Sequence, residues 1–125
     1  MSRYIVGITG ASGSIYGVRL VEELLKKGHE VYFVITEHGR EVLEYELEIS
    51  FETWIKDCEE RWKKITFCPN DDLFSEIASG SFPTDGMIIA PCSMGTLAKL
   101  SSGIADNLLV RAADVIIKEK RQLIL

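Results

Sequence analysis

Two short segments combine glycine with hydroxyl side chains in a way that suits a phosphate or a nucleotide. The first is Gly10-Ala11-Ser12-Gly13, between an apolar run and a helical pattern. Glycines there let a ligand approach the backbone, Ser12 can add a hydroxyl, and the free N–H groups of the following helix favour an anion. A tight turn without a ligand is the alternative interpretation. The glycine spacing from Gly7 to Gly17 differs from the G-x-G-x-x-G pattern of dinucleotide-binding domains.

The second segment is Pro91-Cys92-Ser93-Met94-Gly95-Thr96, again where an apolar run gives way to a helical pattern. Its small hydroxyl residues and its glycine suit a phosphate or the edge of a polar ring. Cys92 invites a nucleophilic role, yet neither His29 nor His38 is placed to activate it. We therefore expect Cys92 to be an inert, partly buried thiol and both histidines to be surface residues.

Two cations form a third candidate group. Arg111 and Lys118 are seven residues apart in a helical pattern, so they lie on one face of the helix. Together they could hold a phosphate, since arginine offers a fork of donors and lysine a point charge. The alternative is an ordinary helix with surface ion pairs to Asp106, Asp114 and Glu119.

Apolar runs that alternate with helical patterns indicate how these segments are positioned. Strands are predicted over residues 4–9, 30–35, 86–90 and 122–125, and helices over 15–27, 37–46, 51–64, 72–79, 94–100 and 106–118. This alternation predicts a parallel sheet with helices on both faces, a fold that binds ligands at the carboxyl ends of its strands. The two glycine-bearing turns then lie side by side and form one crevice.

Composition narrows the possible functions. The chain has 125 residues, 46% of them apolar and 26% charged, which is typical of one globular domain. A net charge of −5 argues against nucleic acid as a partner. No apolar run approaches the roughly 20 residues of a membrane helix, and no signal peptide is evident, so we expect a cytoplasmic protein. Three cysteines without metal-ligand spacing predict neither a disulfide framework nor a metal site.

The motifs together resemble a known family. The chain is similar to the UbiX-type flavin prenyltransferases, formerly described as 3-octaprenyl-4-hydroxybenzoate or phenylacrylic acid decarboxylases. The similarity spans the whole chain and is weakest over residues 51–71; it is carried by segments 7–13, 16–20, 79–82, 91–97, 111–115 and 118–119. It implies a Rossmann-like three-layer α/β/α flavoprotein fold with a parallel sheet, formed by a single flavin-binding domain over 1–125. It also implies a homo-oligomer, a dodecamer built from trimers, with FMN bound between subunits.

The resemblance further implies an activity. Members join a dimethylallyl group from dimethylallyl monophosphate to N5 and C6 of reduced FMN, without a metal, and the prenylated FMN then serves a UbiD-type decarboxylase. The flavin supplies the nucleophile, so a silent Cys92 fits this chemistry.

Residue by residue, the resemblance assigns roles to both turns and to both cations. Gly10, Ala11 and Ser12 would contact FMN, and Thr36 stands where the family often has a flavin-binding serine. Arg111 would lie on the flavin or phosphate side, Lys118 would bind the prenyl phosphate, and Glu46 would be an acid that reaches a neighbouring active site. The FMN itself would be held by the second turn, at Ser93, Met94, Gly95 and Thr96. The expected catalytic residues are Lys118, Glu46 and Ser12.

The family continues for roughly half as much chain again, so we expect this sequence to be its N-terminal two-thirds. Three other functions stay open. An FMN-dependent cysteine decarboxylase of the same superfamily would have asparagine where this chain has Gly95, and its catalytic histidine has no counterpart here. An inactive FMN-binding subunit is the second. The third is a nicotinamide-dependent reductase, for which Glu37 after the second strand could bind a ribose.

Overall fold

The chain forms a parallel five-stranded sheet with helices on both faces. The computed structural model describes all residues from 1 to 125, and the strand order is β3-β2-β1-β4-β5. The strands are β1 (Arg3–Ile8), β2 (Glu30–Ile35), β3 (Ile65–Phe67), β4 (Gly86–Ile89) and β5 (Leu123–Ile124). The helices are α1 (Ser14–Lys26), α2 (Glu37–Leu47), α3 (Phe51–Trp62), α4 (Met94–Ser102) and α5 (Leu108–Lys118), with a 3₁₀ turn over Glu76–Ala78. The predicted α/β fold is confirmed.

Strand β1 lies at the centre and pairs in parallel with β2 on one side and β4 on the other. Its side chains alternate between two apolar cores, because successive residues of a strand face opposite ways. Val6 and Ile8 pack with α1, α2 and α3 on one face, while Ile5 packs with α5 on the other. Burial on both faces explains the nearly continuous apolar runs of the central strands. None of the helices combines the length and the apolarity that crossing a bilayer requires.

Side-chain caps define where four of the helices begin. The hydroxyls of Thr36, Ser50 and Ser93 and the amide oxygen of Asn107 each accept a backbone N–H from the first turn of α2, α3, α4 and α5. Such caps satisfy donors that have no partner inside the helix. Asn107 places the start of α5 two residues beyond the predicted position.

The predicted helix over residues 72–79 is wrong. A 3₁₀ turn over Glu76–Ala78 is its only helical part. Asp72 explains the difference: its carboxylate accepts the N–H of Phe74 at 3.0 Å, and its carbonyl accepts the N–H of Ser75 at 3.3 Å. Aspartate forms such local turns in competition with a helix. The short edge strand Ile65–Phe67 was not predicted, and only its first residue is buried.

Gly17 lets α1 pack tightly against the end of β4. A methyl group at this position would lie 2.2 Å from the carbonyl oxygen of Ala90 and 2.7 Å from the side chain of Ile8. The carbonyl belongs to the backbone just before the second glycine-bearing turn, so it cannot move aside without moving that turn. Gly17 therefore fixes the distance between the start of α1 and the end of β4.

We expect Gly17→Ala to lower the free energy of unfolding by roughly 3 kcal/mol, because the added methyl overpacks a contact with backbone. Gly95→Ala is the matched control, since the nearest atom to a methyl there is 4.0 Å away, and it should change stability by less than about 1 kcal/mol. Urea unfolding of both variants gives the comparison. Equal stabilities of the two variants would contradict the packing role of Gly17.

Candidate functional site at the carboxyl edge of the sheet

The two glycine-bearing turns are joined by one buried threonine. Thr9, which is fully buried, follows β1 directly. Its hydroxyl donates to the carbonyl of Pro91 at 2.8 Å and accepts the N–H of Ser93 at 2.7 Å, and its own N–H donates to Pro91 at 3.2 Å. The turns therefore lie side by side at the point where the sheet order reverses, as predicted, although they form an open surface and not a crevice.

The second turn presents the start of α4 to solvent. The Ser93 hydroxyl accepts the N–H of Thr96 at 3.1 Å and lies 2.9 Å from the hydroxyl of Thr96. Met94 and Gly95 are exposed, and the first turn of α4 carries no acidic residue. The first N–H groups of a helix have no acceptor within it. This exposed helix start is thus suited to an anion.

The first turn is already occupied by a carboxylate of the same chain. Glu46, near the end of α2, accepts the hydroxyl of Ser12 at 2.8 Å and the backbone N–H groups of Gly13 and Ser14 at 3.1 Å each. The N–H of Ser14, the hydroxyl of Ser12 and the N–H of Gly13, in that order, lower the pKa of Glu46 below its ordinary value. The donors that the sequence predicts for a ligand phosphate therefore bind the carboxylate of Glu46 instead.

Thr36 joins the site through the start of α2. Its hydroxyl caps α2 by accepting the N–H of Gly39 at 2.9 Å, and its N–H donates to the carbonyl of Ile8 at 3.1 Å. Gly10 packs directly on this helix, because a methyl group at Gly10 would lie 2.1 Å from a ring carbon of His38. Gly10, Ser12 and Thr36 thus belong to one surface above β1 and β2.

A cavity of about 600 Å³ opens beside that surface, above the carboxyl ends of β2 and β3. Its lining includes Thr36 and also Glu37, the residue considered for a ribose, together with Phe51, Phe67 and Asn107. Neither glycine-bearing turn contributes to it. The turns lie instead on open surface, with Ser12, Met94 and Gly95 exposed.

The two candidate cations lie on one face of α5 but at different levels of the sheet. α5 begins beside the carboxyl end of β3, where the carbonyl of Asn70 accepts the N–H of Leu108 at 2.9 Å. It ends at the opposite edge, where the guanidinium of Arg121, just beyond the helix, donates to the carbonyl of Gly80 at 2.9 Å. A helix of 11 residues spans about 16 Å. Lys118 is therefore remote from both turns of its own chain.

Arg111 and Lys118 also differ in their ion pairs. Arg111 is exposed and makes no salt bridge, whereas the Lys118 ammonium lies 3.6 Å from the carboxylate of Glu119. Asp106, which was considered as a partner on this helix, instead pairs with Lys99 at 3.0 Å. Arg111 lies one turn into α5, near the carboxyl edge of the sheet. Of these two cations it is therefore the one on the same side of the sheet as the two turns.

Cys92 lies in the second turn and His38 packs against Gly10, but neither belongs to a nucleophile–base pair. Burial raises the pKa of the Cys92 thiol, and its sulfur donates weakly to the carbonyl of Ser93 at 3.6 Å, which fits the expected inert thiol. His38 is exposed, whereas His29 is half-buried and accepts the N–H of Ser2 at 3.0 Å. No three His, Cys, Asp or Glu side chains come together in an arrangement that could hold a metal ion.

Thr9 is the residue that sequence reasoning missed. The apolar pattern predicts Thr9 only as the last position of a strand, although a hydroxyl at that place signals a buried polar contact. The contact of Glu46 with the first turn of its own chain was also missed: the resemblance assigned this acid to a neighbouring active site, and 32 positions separate it from Ser14.

A parallel α/β sheet with two glycine- and serine-bearing turns at its switch point defines a nucleotide-binding domain of the doubly wound class. Comparison with known proteins names the family. The model of the Flavoprotein family matches residues 1–125. The chain belongs to the flavoprotein family.

Known relatives agree with this assignment. The UbiX flavin prenyltransferase of Halalkalibacterium halodurans is 48% identical over 126 residues, which cover 98% of this chain and 61% of the relative. The crystal structure of AnUbiX (PadA1) in complex with FMN and dimethylallyl pyrophosphate superposes with a TM-score of 0.88 at 33% identity, covering 99% of this chain and 63% of that one.

A second solved structure, the dodecameric FMN-dependent UbiX-like decarboxylase from Escherichia coli O157:H7, superposes with a TM-score of 0.86 at 39% identity. It covers 97% of this chain and 63% of that one. The chain thus spans less than two thirds of the length of these relatives.

We expect the contact between Glu46 and the first turn to stabilise the fold in a pH-dependent way. The pKa of Glu46 is lower in the folded chain than its ordinary value of 4.5. The stabilisation is therefore present above the unfolded-state pKa and is lost as the pH falls through the folded-state pKa. At neutral pH, Glu46→Gln should unfold at a lower urea concentration than the unmodified chain.

The difference in urea midpoint should shrink as the pH is lowered below 4.5. Glu48→Gln, an exposed position just beyond the same helix that makes no ion pair, is the control and should show a smaller difference with no such trend. A gap between Glu46→Gln and the unmodified chain that is constant from neutral to acidic pH would contradict the charged contact.

Proposed function

We propose that the chain is the FMN-binding part of a flavin prenyltransferase, which transfers a dimethylallyl group from dimethylallyl monophosphate to N5 and C6 of reduced FMN. The family match and the similarity to UbiX flavin prenyltransferases over nearly the whole chain support this. The observation that carries it is the Thr9 bridge, which sets the two turns side by side at the switch point. A flavin that lies across both turns would contact Gly10, Ala11 and Ser12 on one side and the segment 93–96 on the other.

The second turn is the better place for the FMN phosphate. The start of α4 exposes Met94 and Gly95 and has no carboxylate nearby in its first turn. Arg111 is exposed at the same edge of the sheet and carries no competing ion pair. Helix N–H groups and an arginine fork both favour a phosphate. The Ser93 hydroxyl donates to the hydroxyl of Thr96 at 2.9 Å, so Thr96 keeps its own proton as an additional donor. Thr36 would contact the flavin from the side of the first turn.

Ser12 and Glu46 would together accept a proton from the ligand, with Ser12 relaying it to the Glu46 carboxylate. Ser12 has one hydroxyl proton and donates it to Glu46 at 2.8 Å, so towards a ligand the Ser12 oxygen can only accept. A ligand N–H beside Ser12 therefore has a route to the carboxylate. The transfer needs such a route, because N5 loses a proton as it bonds to the dimethylallyl carbon and phosphate leaves with the electron pair of the broken C–O bond.

The substrate flavin supplies the nucleophilic N5 and C6, so the chain itself needs no nucleophile. This agrees with the protonated, partly buried Cys92. At C6, the proton that the ring loses is balanced by one that the dimethylallyl double bond gains. The part of the protein is to position both substrates, keep water out and hold the departing phosphate.

Lys118 would hold that phosphate in the site of another copy of the chain. Within one copy it lies at the edge of the sheet opposite to the turns, about 16 Å along α5 from the helix start. The open surface around Ser12 and Met94 also needs a cover before it can exclude water. A homo-oligomer provides both, and a similar solved structure is described as dodecameric. The product would then pass to a UbiD-type decarboxylase, an expectation that rests on the resemblance alone.

We expect saturable binding of FMN, followed by quenching of flavin fluorescence, that NADPH does not displace. With dithionite-reduced FMN and dimethylallyl monophosphate, mass spectrometry should detect FMN that carries one added prenyl group. FMN binding without transfer would identify an FMN-binding subunit. Displacement by NADPH would favour a nicotinamide-dependent reductase, and absence of FMN binding by the folded chain would overturn the proposal.

The shared site predicts complementation between two inactive variants. Ser12→Ala and Lys118→Ala should each lose most prenyl transfer, but a co-refolded equal mixture should recover about a quarter of the normal rate, because one site in four then pairs an intact Ser12 with an intact Lys118. A mixture of Ser12→Ala with Ser12→Ala,Lys118→Ala is the control and stays inactive. No recovery in the first mixture would show that Lys118 does not act across the subunit boundary.

A further inference from the structure

We propose that Glu46 determines ligand specificity by excluding phosphate from the start of α1, so that a bound nucleotide presents an uncharged part to the first glycine-bearing turn. The exclusion itself is read from this chain's contacts, whereas the identification of that uncharged part as the flavin ring rests on the proposed function. The turn thus differs from the phosphate-binding turn that its sequence suggests.

The geometry leaves a phosphate little to bind at this turn. Glu46 takes the N–H groups of Gly13 and Ser14 with one oxygen and the hydroxyl of Ser12 with the other. The N–H of Ala11 donates to the carbonyl of Thr9 at 2.9 Å, and that of Tyr16 donates to the carbonyl of Gly13 at 3.0 Å. The donors at the helix start are therefore largely satisfied within the chain.

The carboxylate is also a fixed negative charge. The pKa of Glu46 is lowered by the same donors, so it stays ionised at neutral pH. A phosphate that approached the start of α1 would meet a like charge and would have to displace three hydrogen bonds. The Glu46 carboxylate already occupies the position where the dipole of α1 would stabilise a bound anion.

Of the other helices that begin at this edge of the sheet, only α4 has a start that favours a phosphate. Glu37 lies in the first turn of α2, and Asp106 precedes the cap of α5. The first turn of α4 carries no acidic residue and exposes Met94 and Gly95. A mononucleotide is thus oriented with its phosphate on α4 and its ring towards α1. A dinucleotide whose pyrophosphate must lie at the start of α1 is rejected.

The test is a titration with inorganic phosphate, followed by the amide NMR signals of Gly13 and Ser14. In the unmodified chain these two signals should not move at millimolar phosphate. Glu46→Ala frees the donors, and phosphate should then shift both signals with at least a tenfold lower apparent Kd. Glu46→Gln keeps an acceptor but removes the charge, so it should give an intermediate affinity.

Glu48→Gln, an exposed position just beyond α2, serves as the control, with no gain in phosphate binding. The unshifted amide signals of the sheet establish that each variant is folded, and Glu46→Gln covers the case in which Glu46→Ala does not fold. Phosphate shifts of Gly13 and Ser14 in the unmodified chain, or no gain in either folded Glu46 variant, would overturn the proposal. The readout contains no flavin and no turnover, so it is independent of the prenyl-transfer experiment.

Discussion

The site depends on a buried threonine between two parallel strands. Thr9 donates to Pro91 and accepts from Ser93, and it has no exposed surface. A buried hydroxyl that loses its partners costs the full desolvation of the polar groups left behind. Since β1 and β4 are neighbours in the sheet, this pair of hydrogen bonds fixes the end of one strand against the end of the other. Both glycine-bearing turns start from that fixed point.

The two turns look alike in sequence, yet the structure gives them opposite electrostatic character. A carboxylate from α2 sits on the donors that begin α1, whereas the donors that begin α4 face solvent without an acid in their first turn. A helix start is a site for an anion, and a side chain of the same protein can be that anion. Charge placement therefore divides the surface formed by the two turns into a part suited to phosphate and a part suited to an uncharged ring or a proton donor.

The long apolar runs were sufficient to predict most of the fold. Strands β1, β2 and β4 are buried on both faces, so their sequences are almost entirely apolar and hard to mistake. The short edge strand Ile65–Phe67 carries no such signal, because a single buried residue gives no period. The helix expected over 72–79 failed for a local reason, since the Asp72 side chain and carbonyl turn the backbone before a helix can start.

For the site, local patterns suggested candidate nucleotide-binding residues and predicted that the two turns would meet, because strand-to-helix turns of a parallel sheet share one edge. The contacts that these residues make depend on parts of the chain that are distant in sequence. Glu46 reaches Ser14 across 32 positions of sequence, and no local pattern encodes that contact. Likewise, spacing places Arg111 and Lys118 on one helix face, but the direction of α5 across the sheet puts Lys118 at the opposite edge. Long-range packing sets both outcomes, and it depends on the whole chain at once.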